Sequence, residues 1–386
     1  MTRHRHAGGP IVRLLTTMSL GLMLAVSGLL SDPASVRAMA RPAEGPGGTL
    51  AWLQLGAQLS SIVPWDPLLQ AMAGTEAIDD GDDGRLTFLL LGSDTRTTGI
   101  SRTDTIMIVS IENGTNNINA ASIPRDTARI LNPFTASATD YFSGRVNGIL
   151  KLLKKGTTTA AALDKLEIVI EKLLGTPANP IEIDYHALIT FHGFHALVNQ
   201  VDPITINITK TIKDTKYWDD PAKLQGVYFP VATNYELYAW QPNAPSQLCN
   251  GLWRNHSPIL ASDHCHRAMP FVRSRKGKSN SDFARARRQQ NFVGAALEEV
   301  IQRGSGANLD ALLNSADGQL GNGGLYTNFP YNQSGNSLSL FNKLANAHLS
   351  QQVVFSPTAY STHISGTSAY QLKLPAVRAW ADSYLR

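Results

Sequence analysis

The chain has 386 residues, 43% of them apolar and 17% charged, a globular composition that excludes an intrinsically disordered protein and suffices for one large domain or two ordinary ones. Its 34 basic and 30 acidic residues leave a formal net charge of only +4, so basic character has to be sought in local concentrations.

Arg3, Arg5 and Arg13 precede an apolar run from Leu14 to Leu30 with no acid before Asp32. Such a run is long enough to enter a bilayer, and the basic flank sets its orientation. It predicts an uncleaved signal anchor: residues 1–13 cytoplasmic, 14–30 in the cell membrane as a single pass, and the remainder outside the cytoplasm. Ala38-Met39-Ala40 has the small-x-small form of a cleavage site but lies well beyond the apolar run. Residues 31–84 read as a linker and accessory segment, rich in Ala, Pro and Gly at first and ending in a solvated acidic turn around Gly81.

Chemistry-bearing residues begin after a buried strand, Leu86 to Leu91, that Gly92 ends. A second strand is expected from Thr105 to Ile111 and a third from Ile118 to Ile123, joined by the turn Asn113–Asn117 and closed by Pro124. If these neighbours pair antiparallel, three charged segments meet at one sheet edge: Ser93-Asp94-Thr95-Arg96, Ser101-Arg102-Thr103-Asp104 and Arg125-Asp126. Asp94 and Asp104 would repel each other unless a cation lay between them, and a hard ion such as Mg²⁺ bridges carboxylates to phosphate oxygens. The competing reading is a set of surface turn residues with local ion pairs.

Gly144-Arg145-Val146-Asn147-Gly148 leads into a short helix near Ile149 to Lys154, and a second helix runs from about Thr159 to Leu174 before Gly175. Leu163, Leu166, Val169, Ile170, Leu173 and Leu174 on it are candidates for the core or for the wall of a hydrocarbon groove. A strand is expected from Ile181 to Ile189, a helix from Phe191 to Val198 and a strand from Ile204 to Ile208. Residues 209–262 show little period and suggest long exposed loops. Cys249 and Cys265 suit an oxidising compartment, and a disulfide between them would stabilise the fold by about 3 kcal/mol in the chain-entropy model. His256, His264 and His266 nearby match no zinc spacing.

The densest basic stretch is Phe271 to Gln290, with Arg273, Arg275, Lys276, Lys278, Arg285, Arg287 and Arg288 against one acid, Asp282. A helix capped by Ser281 or Asp282 should run from about Phe283 to Arg303, placing Arg285, Arg288, Gln289 and Phe292 on one face. Cations at that end oppose the helix dipole, so a bound anion, with phosphate the natural candidate, is implied. The alternative is a solvated basic face. After Gly304 come Gly-rich turns, a helix from Ser339 to Leu349 and a strand-like run from Gln352 to Phe355.

Leu91-Gly92-Ser93-Asp94-Thr95-Arg96, Arg102-Thr103-Asp104-Thr105-Ile106-Met107, Ser122-Ile123-Pro124-Arg125-Asp126-Thr127 and the block from Val272-Arg273-Ser274-Arg275 to Arg288-Gln289-Gln290 together resemble the LytR-CpsA-Psr family in order and spacing. The resemblance covers roughly residues 85–305, leaving 306–386 as a C-terminal extension packing on the core. It implies an α/β fold of three layers, a central mixed, largely antiparallel sheet flanked by helices. It also implies a deep groove for a polyprenyl pyrophosphate lipid. The implied activity is transfer of a glycopolymer phosphate from that carrier to peptidoglycan, forming a phosphodiester and releasing polyprenyl phosphate. Hydrolysis of the lipid pyrophosphate and non-catalytic polyanion binding are the alternatives; nucleic acid is excluded as a ligand by export.

By the same resemblance Asp94 and Asp104 are the Mg²⁺-linked carboxylates. Arg96, Arg102, Arg125, Arg145, Arg273, Arg275, Arg285 and Gln289 form the pyrophosphate clamp, with Arg102, Arg125 and Arg275 also catalytic. Arg145 stands where the family more often has lysine, and Gly148-Ile149-Leu150-Lys151 replaces its usual aromatic and glycine-rich run.

Overall fold

Continuous apolar runs along consecutive strands, buried on both faces, build the centre of the protein, here seen in a computed structural model. It describes residue 78 and residues 83–94, 102–115, 117–137, 139–176, 178–201, 203–219, 224–238, 253–254, 257–258, 268–277, 281–302, 324–331, 336–344 and 347–386, all in one unit formed by Ile78–Asn332 and Asn336–Arg386. The apolar run Leu14–Leu30, Arg96 and both cysteines lie outside the described residues. Among those described, no helix is long and apolar enough to cross a membrane.

The strands β1 (Arg85–Ser93), β2 (Thr103–Glu112) and β3 (Asn117–Ser122) pair antiparallel in sequence. A 3-10 turn (Val146–Gly148) leads to α1 (Ile149–Leu153) and α2 (Thr159–Leu174), then to β4 (Tyr185–Ile189), parallel to β1, and α3 (Phe191–Val201). Next come β5 (Ile204–Ile208), β6 (Ile212–Asp219), β7 (Leu224–Phe229), β8 (Ala232–Leu237) and the short β9 (Trp253–Arg254) and β10 (Ser257–Pro258), paired as β5 with β8, β6 with β7 and β9 with β10. The chain continues through α4 (Ala268–Arg273), α5 (Asp282–Gln302), β11 (Leu325–Thr327), α6 (Asn336–Leu344), β12 (His348–Val354), β13 (Ser361–His363), β14 (Tyr370–Leu372) and α7 (Leu374–Tyr384).

The central sheet has the order β11-β4-β1-β2-β3-β12. Three of its pairings are antiparallel and two parallel, the mixed sheet expected. Successive strand residues point to opposite faces. Phe88, Leu90, Met107, Val109, Ile111, Ile118 and Ala120 face a layer containing α5 and β5–β8. Leu89, Leu91, Ile106, Ile108 and Ala121 face α1, α2 and α7. The six α2 side chains that suited either core or groove are core, none more than 7% exposed. Where α7 ends against the sheet, Arg85 Nη1 and Asn119 Nδ2 donate to Tyr384 O at 3.2 and 3.0 Å, satisfying a helix carbonyl that has no partner within the helix.

Two expectations change. Residues 209–262 are not wholly loop: β6, β7 and β8 form there because Ile212, Tyr217, Val227, Phe229 and Leu237, too sparse to show a period, are all buried. The helix expected over Ser339–Leu349 ends at Leu344, since β3 has a free edge and residues 348–354 pair with it in parallel. The segment after residue 305 thereby supplies both edge strands of the central sheet, β11 and β12.

Glu171 interrupts the apolar layer of α2. Burial pushes its carboxyl up from 4.5 to about 7, against the amide of Ile183 that donates to it and with neighbouring Glu167 and Glu182 adding repulsion. The folded state therefore holds this proton more tightly than the unfolded chain. That stabilisation is fully present below about 4.5 and is lost as pH rises through about 7. Glu171→Gln is expected to raise the melting temperature above pH 7 while leaving it near wild type at pH 4.5, as thermal melts across that range would show.

Candidate functional site

The site is assembled from strand ends. At Gly92 a side chain would place its Cβ 2.9 Å from Thr105 Oγ1, so only glycine lets β1 approach β2 there. The register shifts between Gly92 and Ser93, and Ser93 pairs with Thr103. Asp94 and Arg102 consequently flank this last pairing, both exposed, and Asp104 lies one residue into β2, partly buried. Beyond β3, Pro124 O accepts from the amide and the hydroxyl of Thr127 at 2.9 and 2.7 Å, a tight turn that stands Arg125 and Asp126 at the same edge. Arg125 Nη1 is 2.7 Å from Asp104 Oδ2. Arg145 bridges Ala128 from the next segment, with Nη1 2.5 Å from Asp126 Oδ1 and Nη2 2.6 Å from Ser368 Oγ.

The start of α5 closes the site from above. Ser281 is its cap: the hydroxyl accepts from Ala284 N at 3.2 Å and the carbonyl from Arg285 N at 2.9 Å. Asp282 in the first turn has another role. Its Oδ1 lies 3.0 Å from Arg285 Nη2, 3.5 Å from Arg125 Nε and 3.8 Å from Arg275 Nη1. Arg285 is 5% exposed, and burial pulls its guanidinium below the usual arginine range, with Asp282 opposing. Arg285 Nε, Arg125 Nε and Asp104 Oδ1 are buried without a hydrogen-bond partner. Unmatched capacity of both signs in one place marks a site built for a ligand rather than for stability.

Spacing alone placed Arg285, Arg288 and Gln289 on one face, but the structure divides them. Arg288 donates from Nε to Phe271 O at 3.0 Å and from Nη2 to the carbonyl and hydroxyl of Ser274, and burial holds its pKa down at about 10. It ties α5 to the carbonyl end of α4. Gln289 Nε2 donates to Val272 O at 3.1 Å on the same side. Arg273 stacks over the Phe191 ring at 4.3 Å and reaches Tyr217 Oη at 3.4 Å, a cation-π arrangement that no spacing could indicate.

The turn carrying Arg275 is clipped to β6. Asp214, 1% exposed, accepts the amides of Arg275 and Lys276 on Oδ2, each at 2.9 Å, and that of Lys216 on Oδ1 at 3.0 Å. Gly277 follows at φ +110, where a Cβ would lie 2.1 Å from Lys213 O. Asp214 went unread in the sequence because it lies in the region taken for loops.

Two cavities lie along α5. Asp282, Phe283, Arg285, Ala286 and Gln289 line a small one of about 10 Å³ with Asp104, Ser122 and Arg125 and with the apolar Ile106, Ile123, Pro124 and Val354. Further along, Gln290, Val293, Leu297 and Ile301 roof a cavity of about 320 Å³ whose floor is the sheet face of Met107, Val109, Ile118 and Ala120. Among the described residues no three His, Cys, Asp or Glu side chains gather as a metal cluster.

Comparison with known proteins gives three findings. The LytR_cpsA_psr family model matches residues 69–382. The cell wall biosynthesis protein LcpA of Corynebacterium glutamicum is 24% identical over 285 residues, covering 64% of this chain and 46% of that protein, so the chain spans about half the length of this curated relative. Similar solved structures include protein gbs0355 from Streptococcus agalactiae, at 16% identity with a TM-score of 0.54 over 81% of this chain and 91% of that one. B. subtilis TagV, at 17% identity, has a TM-score of 0.51 over 79% and 98%. At these identities the structures speak for the fold.

The division between Arg285 and Arg288 has a measurable consequence. Arg288→Met leaves three buried acceptors without their donor and is expected to cost about 2–4 kcal/mol in urea unfolding. Arg285→Met should cost no more than about 1 kcal/mol, since Asp282 keeps Arg125 and Arg275 beside it while the burial of a guanidinium is relieved. It should lower affinity for inorganic pyrophosphate about tenfold or more in calorimetry.

Proposed function

The chain belongs to the LytR-CpsA-Psr family, and from that premise we propose that it is a membrane-anchored, exported phosphotransferase that moves a glycopolymer phosphate from a polyprenyl pyrophosphate carrier to peptidoglycan. The observation that carries this reading is the polarity along α5. Its first two turns stand over an arginine–carboxylate cluster and the following turns over a larger cavity whose floor is the apolar sheet face of Met107, Val109, Ile118 and Ala120, with Thr205, Asn207, Asn291, Glu298, His348 and Gln352 also lining it. An amphiphile with a multiply charged head and a hydrocarbon tail fits both at once. A free nucleotide or sugar phosphate would leave the apolar part unused.

In the proposed reaction a peptidoglycan hydroxyl attacks the phosphorus that bears the glycopolymer. The bond from that phosphorus to the bridging oxygen breaks, and polyprenyl phosphate leaves with the electron pair. Arg125, Arg275 and Arg285 converge where the developing charge would lie, and preorganised cations in a partly desolvated site stabilise it more than water does. Arg102, exposed at the rim, and Arg145, held by Asp126, extend the positive wall toward the acceptor side. The family resemblance assigns to the same clamp Arg96, outside the described residues, Arg273, which lies over the Phe191 ring, and Gln289, whose amide donates to Val272 O.

Asp104 keeps one carboxylate oxygen without a partner and Asp94 is exposed beside it in the strand order. Two such carboxylates are the donor set that Mg²⁺ takes from a protein when phosphates and water complete its coordination. When bound, the ion would neutralise charge on the phosphate oxygens. The proton of the attacking hydroxyl passes to a carboxylate of this edge, Asp94, Asp104 or Asp126.

Purified exported chain given a polyprenyl pyrophosphate-linked saccharide, peptidoglycan and Mg²⁺ should yield a glycan-phosphate-peptidoglycan product by mass spectrometry. Asp104→Ala and Arg125→Ala should each lower its rate by about 10²- to 10³-fold. Release of phosphate from the lipid without joining would point to a pyrophosphatase, and binding without turnover to a scaffold.

A further inference from the structure

A single carboxylate oxygen, Asp282 Oδ1, is the point on which Arg125, Arg275 and Arg285 converge, at 3.5, 3.8 and 3.0 Å. The atom is buried and lacks a hydrogen bond of good geometry, and so do the neighbouring Arg285 Nε and Arg125 Nε. The cavity beside it holds about 10 Å³, roughly room for one water molecule. Helix capping does not explain the residue, because Ser281 serves as the cap. A phosphate group cannot reach these three guanidiniums while the carboxylate lies among them, so ligand and side chain must compete.

We propose that Asp282 is a displaceable counterion that makes the seat selective for a pyrophosphate over a monophosphate. The proposal rests on the polyprenyl pyrophosphate reading above. Exchange replaces one attached carboxylate, held at no cost in translational freedom, by a free ligand. A lipid monophosphate brings one phosphate to that exchange and gains little. A lipid pyrophosphate brings two, enough to engage all three guanidiniums that Asp282 releases, Arg125 beside Asp104 among them. The same competition works after the reaction: once the pyrophosphate is cleaved, the returning carboxylate expels polyprenyl phosphate and resets the site. Asp282 is on this view a specificity-determining and product-release residue, distinct from the carboxylates assigned to Mg²⁺ or to the proton.

The test compares binding of geranylgeranyl pyrophosphate and geranylgeranyl phosphate to the full chain in detergent by titration calorimetry. Wild type should favour the pyrophosphate. Asp282→Asn, and Asp282→Ser as a second uncharged variant compatible with a helix start, should bind the monophosphate about tenfold more tightly. The pyrophosphate should gain less, so the ratio of the two affinities shrinks. Asp282→Glu keeps the charge and should restore the wild-type ratio. In turnover assays the uncharged variants should lose kcat while keeping their single-turnover rate, the signature of slow product release. An unchanged ratio in both uncharged variants, or an equal loss of both affinities, overturns the counterion and leaves the pyrophosphate reading standing. Wild type that binds neither lipid overturns that reading, and the counterion with it.

Discussion

Guanidinium groups gathered at partial burial must be matched by negative charge, and this requirement organises the site end of the protein. Asp104 takes Arg125, Asp126 takes Arg145, and Asp282 is shared by Arg125, Arg275 and Arg285. Every one of those carboxylates comes from a different structural source: a strand start, a turn after a strand and a helix start. The sheet brings those sources together, and the three carboxylates still leave one of the four guanidiniums unmatched. A chain selected for stability alone would fill such a place with apolar side chains, since exchanging buried ion pairs for well-packed hydrophobic groups is often neutral or stabilising. Retention of the cluster, with hydrogen-bonding groups left unmatched, is the physical argument for a bound anion.

Rigid elements hold this arrangement. The close approach at Gly92 fixes where β1 releases Asp94, and the Thr127–Pro124 contacts fix the turn of Arg125 and Asp126. On the far side, Asp214 anchors the Arg275 turn through two backbone amides and Arg288 anchors α4 to α5. The helix α5 then links the two cavities, because Gln290, 1% exposed, pins it to Ser122 and to Val353 O at the point where the smaller gives way to the larger. Two neighbouring strands, β3 and β12, are thereby locked beneath a single helix.

Much of this was legible in the sequence. Buried apolar runs bounded by Gly92, the Asn113–Asn117 turn and Pro124 gave the three strands, and antiparallel pairing of neighbours, once assumed, placed Asp104 and Arg125 at one edge. The helix over residues 282–302 followed from apolar spacing and a Ser281 cap. Side-chain partnership was less legible. Residues three apart on a helix differ by about 60° around its axis, enough to send Arg288 into the carbonyls of α4 while Arg285 meets Asp282. Asp282 read as a cap or as one acid among seven bases, and nothing local indicated three arginines around it. Asp214 lay hidden because its strand has few apolar residues, and the partner strand β7 is held through contacts with distant elements, as that of Phe229 on Phe271. The edge strand β12 was partly visible, but its pairing with β3 depends on an edge that only the assembled sheet presents.

The most direct measurement is photocrosslinking of the full chain by a polyprenyl pyrophosphate analogue with a diazirine at the tail end, followed by peptide mapping. Labelling of α5 between Val293 and Ile301 or of the facing strands at Met107–Ala120, blocked by excess inorganic pyrophosphate, is the expected result if, as proposed, one helix seats both ends of the lipid. Labelling on the opposite sheet face around Leu163–Leu174, or tail labelling indifferent to pyrophosphate, would contradict it.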